Sequence, residues 1–259
     1  MKNKQNRSKI NQLLKTWPHG TVFTSAWLEA HGYSYDLINL YRKSEWLRSL
    51  GRGAVVRTDD DDPHWTGGVY ALQTQLNMQV YPAGSTALAL RGYAHNVQFL
   101  EQLFLFGAPG ERLPRWFAEH DWEVELVYRT SNLFPLEASH SLEDLDRGSF
   151  SITVSAPERA IMELLLLVPK YQSFEQAMRA MESLLGLRPD LIQKLLEECN
   201  SVKVKRAFLY LADSLSMPWF GALQVNKIDL GHGKRVIAKG GRFNSKYQIS
   251  VPYLEELGP

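Results

Sequence analysis

Residues 7–57 constrain this chain more than any other stretch. They read as a helical stripe, a short extended piece, two more helices and a hairpin closed by Gly51-Arg52-Gly53. Ile10, Leu13, Leu14 and Trp17 fall at i, i+3, i+4 and i+7, one face of a helix. Pro18, His19 and Gly20 stop it. Val22 and Phe23 read as extended. Thr24 is expected to N-cap a second helix, its hydroxyl accepting from a free backbone N–H. That helix turns Trp27 and Leu28 inward and ends at Gly32, a residue at ease in the left-handed C′ conformation. Ser34 caps a third helix.

At about 100° per residue, the third helix is expected to bury Leu37, Leu40 and Tyr41 and to present Tyr35, Asn39 and Arg42 on the opposite face, with Lys43 at its edge. Asn and Arg suit base edges, because they pair bidentately with adenine and guanine. A polar solvated face has the same composition, so this helix alone does not decide. The hairpin adds to it. Trp46–Leu50 and Ala54–Thr58 alternate like paired strands around a three-residue turn, and they carry Arg48, Arg52 and Arg57. Arginine on such a hairpin can follow a phosphate strand or enter a minor groove. Residues 1–57 hold ten Lys/Arg against three Asp/Glu, a net +7, and the remainder holds 19 against 25, a net −6. The whole-chain charge of +1 hides this asymmetry, which is a nucleic-acid footprint. Order and charge together predict a winged helix-turn-helix that binds double-stranded DNA through Ser34, Tyr35, Asn39, Arg42, Lys43, Arg48, Arg52 and Arg57.

With 259 residues there is room for two domains. No stretch approaches the roughly 18–20 apolar residues of a membrane span, and Met1–Lys9 is basic without a following apolar segment, so a cytoplasmic protein is expected. A single cysteine, Cys199, excludes an internal disulfide and a multi-cysteine zinc site; it reads as a buried thiol late in a helix.

Asp59–Asp62 followed by Pro63 reads as an acidic linker, expected to point away from a DNA-binding face it would repel. Thr66 is expected to cap a connector helix through Tyr70, Leu72 and Leu76. The fold class is α+β: a winged helix with connector over residues 1–78, then a larger mixed domain over 79–259. In that domain Ser85-Thr86 caps a short helix. Phe99–Phe106, Val124–Tyr128 and Phe150–Val154 read as strands. Ser155-Ala156-Pro157-Glu158 reads as a helix start with a capping box. Helices follow around 173–184, 190–199 and 201–214, then strands at Val236–Ala238 and Tyr247–Val251.

Little in the second domain forms a catalytic set. Gly84-Ser85 has the look of the approach to a nucleotidyltransferase site, which also needs carboxylates for Mg²⁺. Asp121, Glu123 and Glu125 alternate and would face one way on a strand, as would the charges of a half-exposed strand. No histidine pair has ligand spacing, and Gly231-His-Gly-Lys234 is too short for a phosphate-binding loop. No metal or cofactor is expected. A second basic patch does stand out: Lys227, Lys234, Arg235, Lys239, Arg242 and Lys246 against Asp229 alone, among accessible glycines, with Lys203, Lys205 and Arg206 as additions. It suits phosphates, or it is a solvated hairpin.

Several segments together carry a resemblance: Ser34-Tyr35, Trp46-Leu-Arg-Ser-Leu-Gly-Arg-Gly53, Gly84-Ser-Thr-Ala-Leu-Ala-Leu-Arg-Gly-Tyr-Ala-His95, Ser155-Ala-Pro-Glu-Arg-Ala160, Ser201-Val-Lys-Val-Lys-Arg206 and Gly233-Lys-Arg235. In this order the chain resembles the AbiEi antitoxins of type IV toxin–antitoxin systems over nearly its whole length. Its middle motif reads Ala83-Gly84-Ser85 where the usual form is richer in glycine. The resemblance implies a winged helix that binds inverted repeats in its own promoter and represses its operon. It also implies a C-terminal domain that counteracts a nucleotidyltransferase toxin without a stable complex, with Lys203, Lys205, Arg206, Lys234, Arg235, Lys239 and Arg242 as its antitoxin surface. The alternatives are a nucleotidyltransferase-like enzyme targeted by a winged helix and a ligand-sensing transcription factor.

Overall fold

The computed structural model describes residues 2–60, 62–93, 102–135, 138–238 and 240–252, with side chains from residue 9. The chain is mixed α+β and gathers into two compact units. The first holds Met1–Tyr81, Gly110–Leu126 and Asp144–Thr153; the second holds Pro82–Pro109, Val127–Glu143 and Val154–Pro259.

The first unit begins in the expected order: α1 (Lys2–Thr16), β1 (Phe23–Thr24), α2 (Ser25–Ala30), α3 (Tyr35–Lys43), β2 (Leu47–Gly51), β3 (Ala54–Arg57) and α4 (Trp65–Thr74). The stripe of α1 buries Ile10, Leu13 and Trp17 against Phe23, Leu28, Ile38, Tyr41, Leu47 and Val55, with Leu14 packed at the edge. Both expected caps form: the Thr24 hydroxyl accepts from Trp27 N at 3.2 Å and the Ser34 hydroxyl from Leu37 N at 3.3 Å. Gly32 follows α2 at φ 84°. The strands form one antiparallel sheet in the order β1–β3–β2, so β3 is central and all four of its residues are buried.

Three local expectations change. Leu40 is exposed, and Ile38 takes its place in the core, because the buried face of α3 is centred on Tyr41. The hairpin turn has two residues, Arg52 and Gly53: Gly51 pairs with Ala54, and a bulge between Ser49 and Gly51 absorbs Leu50. Gly53 sits at φ 93°, a conformation that favours glycine. His64, rather than Thr66, occupies the N-cap of α4. Close by, Gly67 packs on the backbone of Gly20, where an added Cβ would lie 1.9 Å from the carbonyl oxygen, so no side chain fits there.

Next in order are β4 (Val80–Pro82), α5 (Gly84–Leu90), β5 (Gln102–Gly107), α6 (Arg115–Ala118), β6 (Glu125–Thr130), β7 (Leu142–Asp146) and β8 (Ser151–Ser155). Then come α7 (Pro157–Leu167), α8 (Phe174–Glu182), α9 (Pro189–Glu198), α10 (Val202–Ser214), β9 (Arg235–Val236), β10 (Arg242–Asn244) and β11 (Ile249–Val251). The sheets run β4–β5–β6, β7–β8 and β10–β11–β9. Residues 99–101 of the expected strand 99–106, and residues 94 and 95 of the Gly84–His95 motif, lie outside the described residues.

The core of the second unit forms around α7, whose Ile161, Leu164 and Leu165 meet Leu195, Phe208 and Leu211 of the later helices. The capping box expected at Ser155–Glu158 is absent. Ala156 is the N-cap, the Ser155 hydroxyl donates to Glu163 at 2.7 Å, and Glu158 is engaged by Arg188. Ser85 and Thr86 likewise do not cap α5: Ala83 holds that position, and Thr86 Oγ1 accepts from Phe104 N at 2.8 Å. Cys199 is buried as expected, and burial pushes its thiol up to about 11.

Candidate nucleic-acid interface

The exposed side of α3 and the adjoining hairpin strand form an open groove lined by Asn39, Arg42, Lys43, Glu45, Leu47, Arg48, Ser49 and Thr58. Ser34 fixes the start of α3, and Tyr35 directly after it is 66% exposed. Arg42 Nη1 donates to Asn39 Oδ1 at 3.5 Å, so the two base-reading candidates lie side by side one helical turn apart. Lys43 is exposed beyond them, and Arg52 stands exposed at the tip of the hairpin. Glu45, Ser49 and Thr58 also line the groove, although the sequence reading did not select them. Their positions between helix and strand follow from the α3–β2 turn, which no local pattern specifies.

Arg57 does not belong to this surface. It is 7% exposed and faces inward. Its Nη1 donates to the carbonyls of Leu14 and Trp17 at 3.2 and 3.4 Å, and its Nε and Nη2 meet both Asp59 oxygens at 3.0 and 2.8 Å. The Asp59 hydrogen bond holds the guanidinium charged, and the same bond keeps the Asp59 carboxyl below the usual carboxylate range. The cause is strand parity, because Arg57 lies two residues from the core residue Val55.

The acidic segment does not simply point away either. Asp59 binds Arg57, Asp60 accepts from Gly20 N at 2.9 Å and meets His19 at 2.6 Å, and Asp62 reaches Arg48 at 2.6 Å. Attraction to Arg57 and Arg48, and the hydrogen bond from the Gly20 N–H, hold Asp59, Asp62 and Asp60 against the module.

In the second unit, two members of the expected antitoxin surface are buried. Lys205 Nζ donates to the Asp229 carbonyl at 3.0 Å. Arg206 donates to the carbonyls of Leu230, Gly231, Gly233 and Gln248, tying the 230–233 loop to the end of β10–β11. Burial and the charge of Arg235 both lower the Arg206 pKa. Lys203 is half-buried and donates to the Val168 carbonyl at 2.7 Å, and burial lowers its pKa. Lys239 lies outside the described residues. Lys234 and Arg242 are exposed and Arg235 half-exposed.

Gly84 and Ser85, the junction compared with a nucleotidyltransferase entry, are buried among the described residues, with Gly84 N donating to Glu163 at 3.2 Å. Asp121, Glu123 and Glu125 do not share a strand face: β6 begins at Glu125, Glu123 turns the chain at φ 59°, and Asp121 accepts from Glu123 N. Among the described residues no group of three His, Cys, Asp or Glu side chains could hold a metal ion, and no helix is long and apolar enough to cross a membrane.

Comparison with known proteins bears on the whole chain. The crystal structure of RV2827C protein from Mycobacterium tuberculosis is similar in fold, with a TM-score of 0.61 at 18% identity over 92% of this chain and 88% of that one. No curated protein matches. Residues 6–99 match the model for the N-terminal domain of the AbiEi antitoxin transcriptional regulators, and residues 100–252 match that for the transcriptional regulator, AbiEi antitoxin, of type IV toxin–antitoxin systems. With both models matched in sequence order, the chain belongs to the AbiEi antitoxin family of DNA-binding transcriptional regulators.

Proposed function

We propose that the N-terminal module is a winged helix that binds inverted repeats in its own promoter and represses its operon, with α3 in the major groove and the β2–β3 hairpin on the backbone. The observation that carries this reading is the groove in which Asn39, Arg42, Lys43 and Arg48 converge beside an exposed hairpin tip. Asn39 and Arg42 read base edges, Ser34 and Lys43 meet phosphates, and Tyr35 packs on the sugar–phosphate wall. Arg48 and Arg52 follow the adjacent strand. The second function, antitoxin activity against a nucleotidyltransferase toxin in the cytoplasm, is assigned to the exposed Lys234 and Arg242 and the half-exposed Arg235 of the second unit. It needs no stable complex with the toxin and no catalysis by this chain.

The test uses the full chain. It is expected to shift duplex DNA from its own promoter more strongly than a scrambled duplex, with affinity falling steeply as salt rises. Equal, salt-insensitive binding to both duplexes would overturn the operator reading. In cells carrying the cognate toxin, the combined Asp121→Ala, Glu123→Ala and Glu125→Ala variant is expected to restore growth. The combined Lys234→Glu, Arg235→Glu and Arg242→Glu variant is expected to fail while keeping promoter binding. Rescue lost with the carboxylates, in a folded protein, would instead favour the enzyme.

A further inference from the structure

Glu45 sits where the backbone disfavours its own side chain. Helix α3 ends in a Schellman turn: Glu45 N donates to the Arg42 carbonyl at 3.2 Å, and Trp46 N donates to the Tyr41 carbonyl at 3.0 Å. The C′ position of such a turn is left-handed, and Glu45 occupies it at φ 57°. Glycine is the usual residue there, because a Cβ is penalised in that region. A carboxylate adds a second penalty, since it stands by the negative end of the helix dipole. Nothing in the fold offsets the two. Glu45 is exposed, and none of the ion pairs among the described residues involves it. A glycine would close the same turn at lower cost, so the turn does not account for a glutamate.

The groove does. Glu45 is the one acid among the residues lining it, and it shares that lining with Asn39, Arg42, Lys43 and Arg48. A carboxylate in a groove that receives a polyanion opposes binding to every sequence, unless a base offers it a donor. On the major-groove edge guanine presents only the acceptors N7 and O6, and thymine presents O4 and a methyl group. Adenine sets the N7 acceptor beside its N6 amine. Cytosine alone presents a donor, its N4 amine, with no acceptor beside it. We infer that Glu45 is a specificity-determining residue of the DNA-binding groove, accepting from the N4 amine of one cytosine and repelling any other base at that position. The residue lowers affinity for all DNA and restores it at the correct base, so it discriminates by opposing the wrong partners. The inference deepens the operator reading proposed above and rests on it.

The experiment measures binding of the full chain to the promoter duplex, to a scrambled duplex and to a panel of single-base promoter variants. Glu45→Gln keeps the size of the side chain and removes its charge. It should bind the scrambled duplex about two- to fivefold more tightly, as suits the loss of an exposed repulsive charge. It should also lose about tenfold of its preference at one cytosine in each half-site, and keep its preference at the bases lost with Asn39→Ala and Arg42→Ala. Glu45→Gly should lose the same preference while its urea midpoint rises, so the loss cannot come from unfolding. Equal tightening on every duplex by Glu45→Gln would overturn the proposal, because the carboxylate would then only repel. Preference lost across all contacted bases would overturn it as well, since Glu45 would then act by placing α3. A parent that prefers its promoter beside Glu45 variants of unchanged preference sinks the role of Glu45 alone. A parent with no preference for its promoter sinks the operator reading and this inference with it.

Discussion

The Arg48 guanidinium on the hairpin lies 2.6 Å from the Asp62 carboxylate, so the acidic segment that follows the hairpin supplies a counter-charge to a residue of the proposed DNA-binding surface. A phosphate arriving at Arg48 competes with that carboxylate. Asp62→Asn is therefore expected to tighten binding to specific and random duplexes alike, by about two- to fivefold at low salt, as suits an exposed ion pair. The gain should fade as ionic strength rises. A titration of both duplexes at two salt concentrations checks this, and weaker binding by Asp62→Asn would show that the carboxylate orients Arg48 instead.

Base reading and backbone contact should separate by residue. Asn39→Ala and Arg42→Ala are each expected to cost about 1–3 kcal/mol on the promoter site and to relax sequence preference. Arg52→Ala should weaken all duplexes together, with a shallower salt slope. Competition binding against a panel of single-base operator variants distinguishes the two patterns.

Arg57 should behave as a stability residue. Arg57→Ala leaves the Leu14 and Trp17 carbonyls without their donor and strips Asp59 of its partner. A loss of about 1–3 kcal/mol in urea unfolding is expected. The DNA affinity of the folded fraction should stay near that of the parent, whereas a large loss of affinity at full folding would return Arg57 to the interface.

Acid should loosen the second unit through Glu158. Burial pushes this carboxyl up, but hydrogen bonds from the Arg188 side chain and backbone outweigh it and leave it below the usual carboxylate range. A folded pKa below the unfolded one contributes stability that is full above the unfolded value and is lost as pH falls through the folded value. Glu158→Gln should thus be less stable than the parent by about 1–3 kcal/mol at neutral pH. The gap should close as pH falls through the folded value, where the parent carboxyl is protonated too. Urea midpoints followed from neutral into acid pH measure it.

Local rules made much of the first unit legible. The α1 stripe, the Thr24 and Ser34 caps and the left-handed Gly32 each depend on residues within one turn of helix, and each is where the sequence places it. The turn at Arg52-Gly53 was off by one residue because a bulge leaves no mark in an alternating pattern. Arg57 was legible in principle: counting by twos from Val55 turns it towards the core, but its charge argued for the surface. The misplacement of Lys205 and Arg206 has a different origin. Their acceptors lie 24 to 42 residues along the chain, in a loop whose return to α10 no short window shows. Ser155 and Glu158 have the spacing of a capping box, yet distant partners, Glu163 and Arg188, outbid the helix end for them.

Arg206 also has an electrostatic consequence. Its guanidinium is held by four main-chain oxygens, and among the described residues no carboxylate neutralises it. It is buried, so mobile ions cannot gather around it as they do around Lys234 and Arg242. The charge is felt at Arg235, whose presence depresses the Arg206 pKa in return. The potential above the C-terminal sheet therefore has a fixed component, set by a guanidinium that the main chain holds in place, and a movable one from the exposed Lys234 and Arg242.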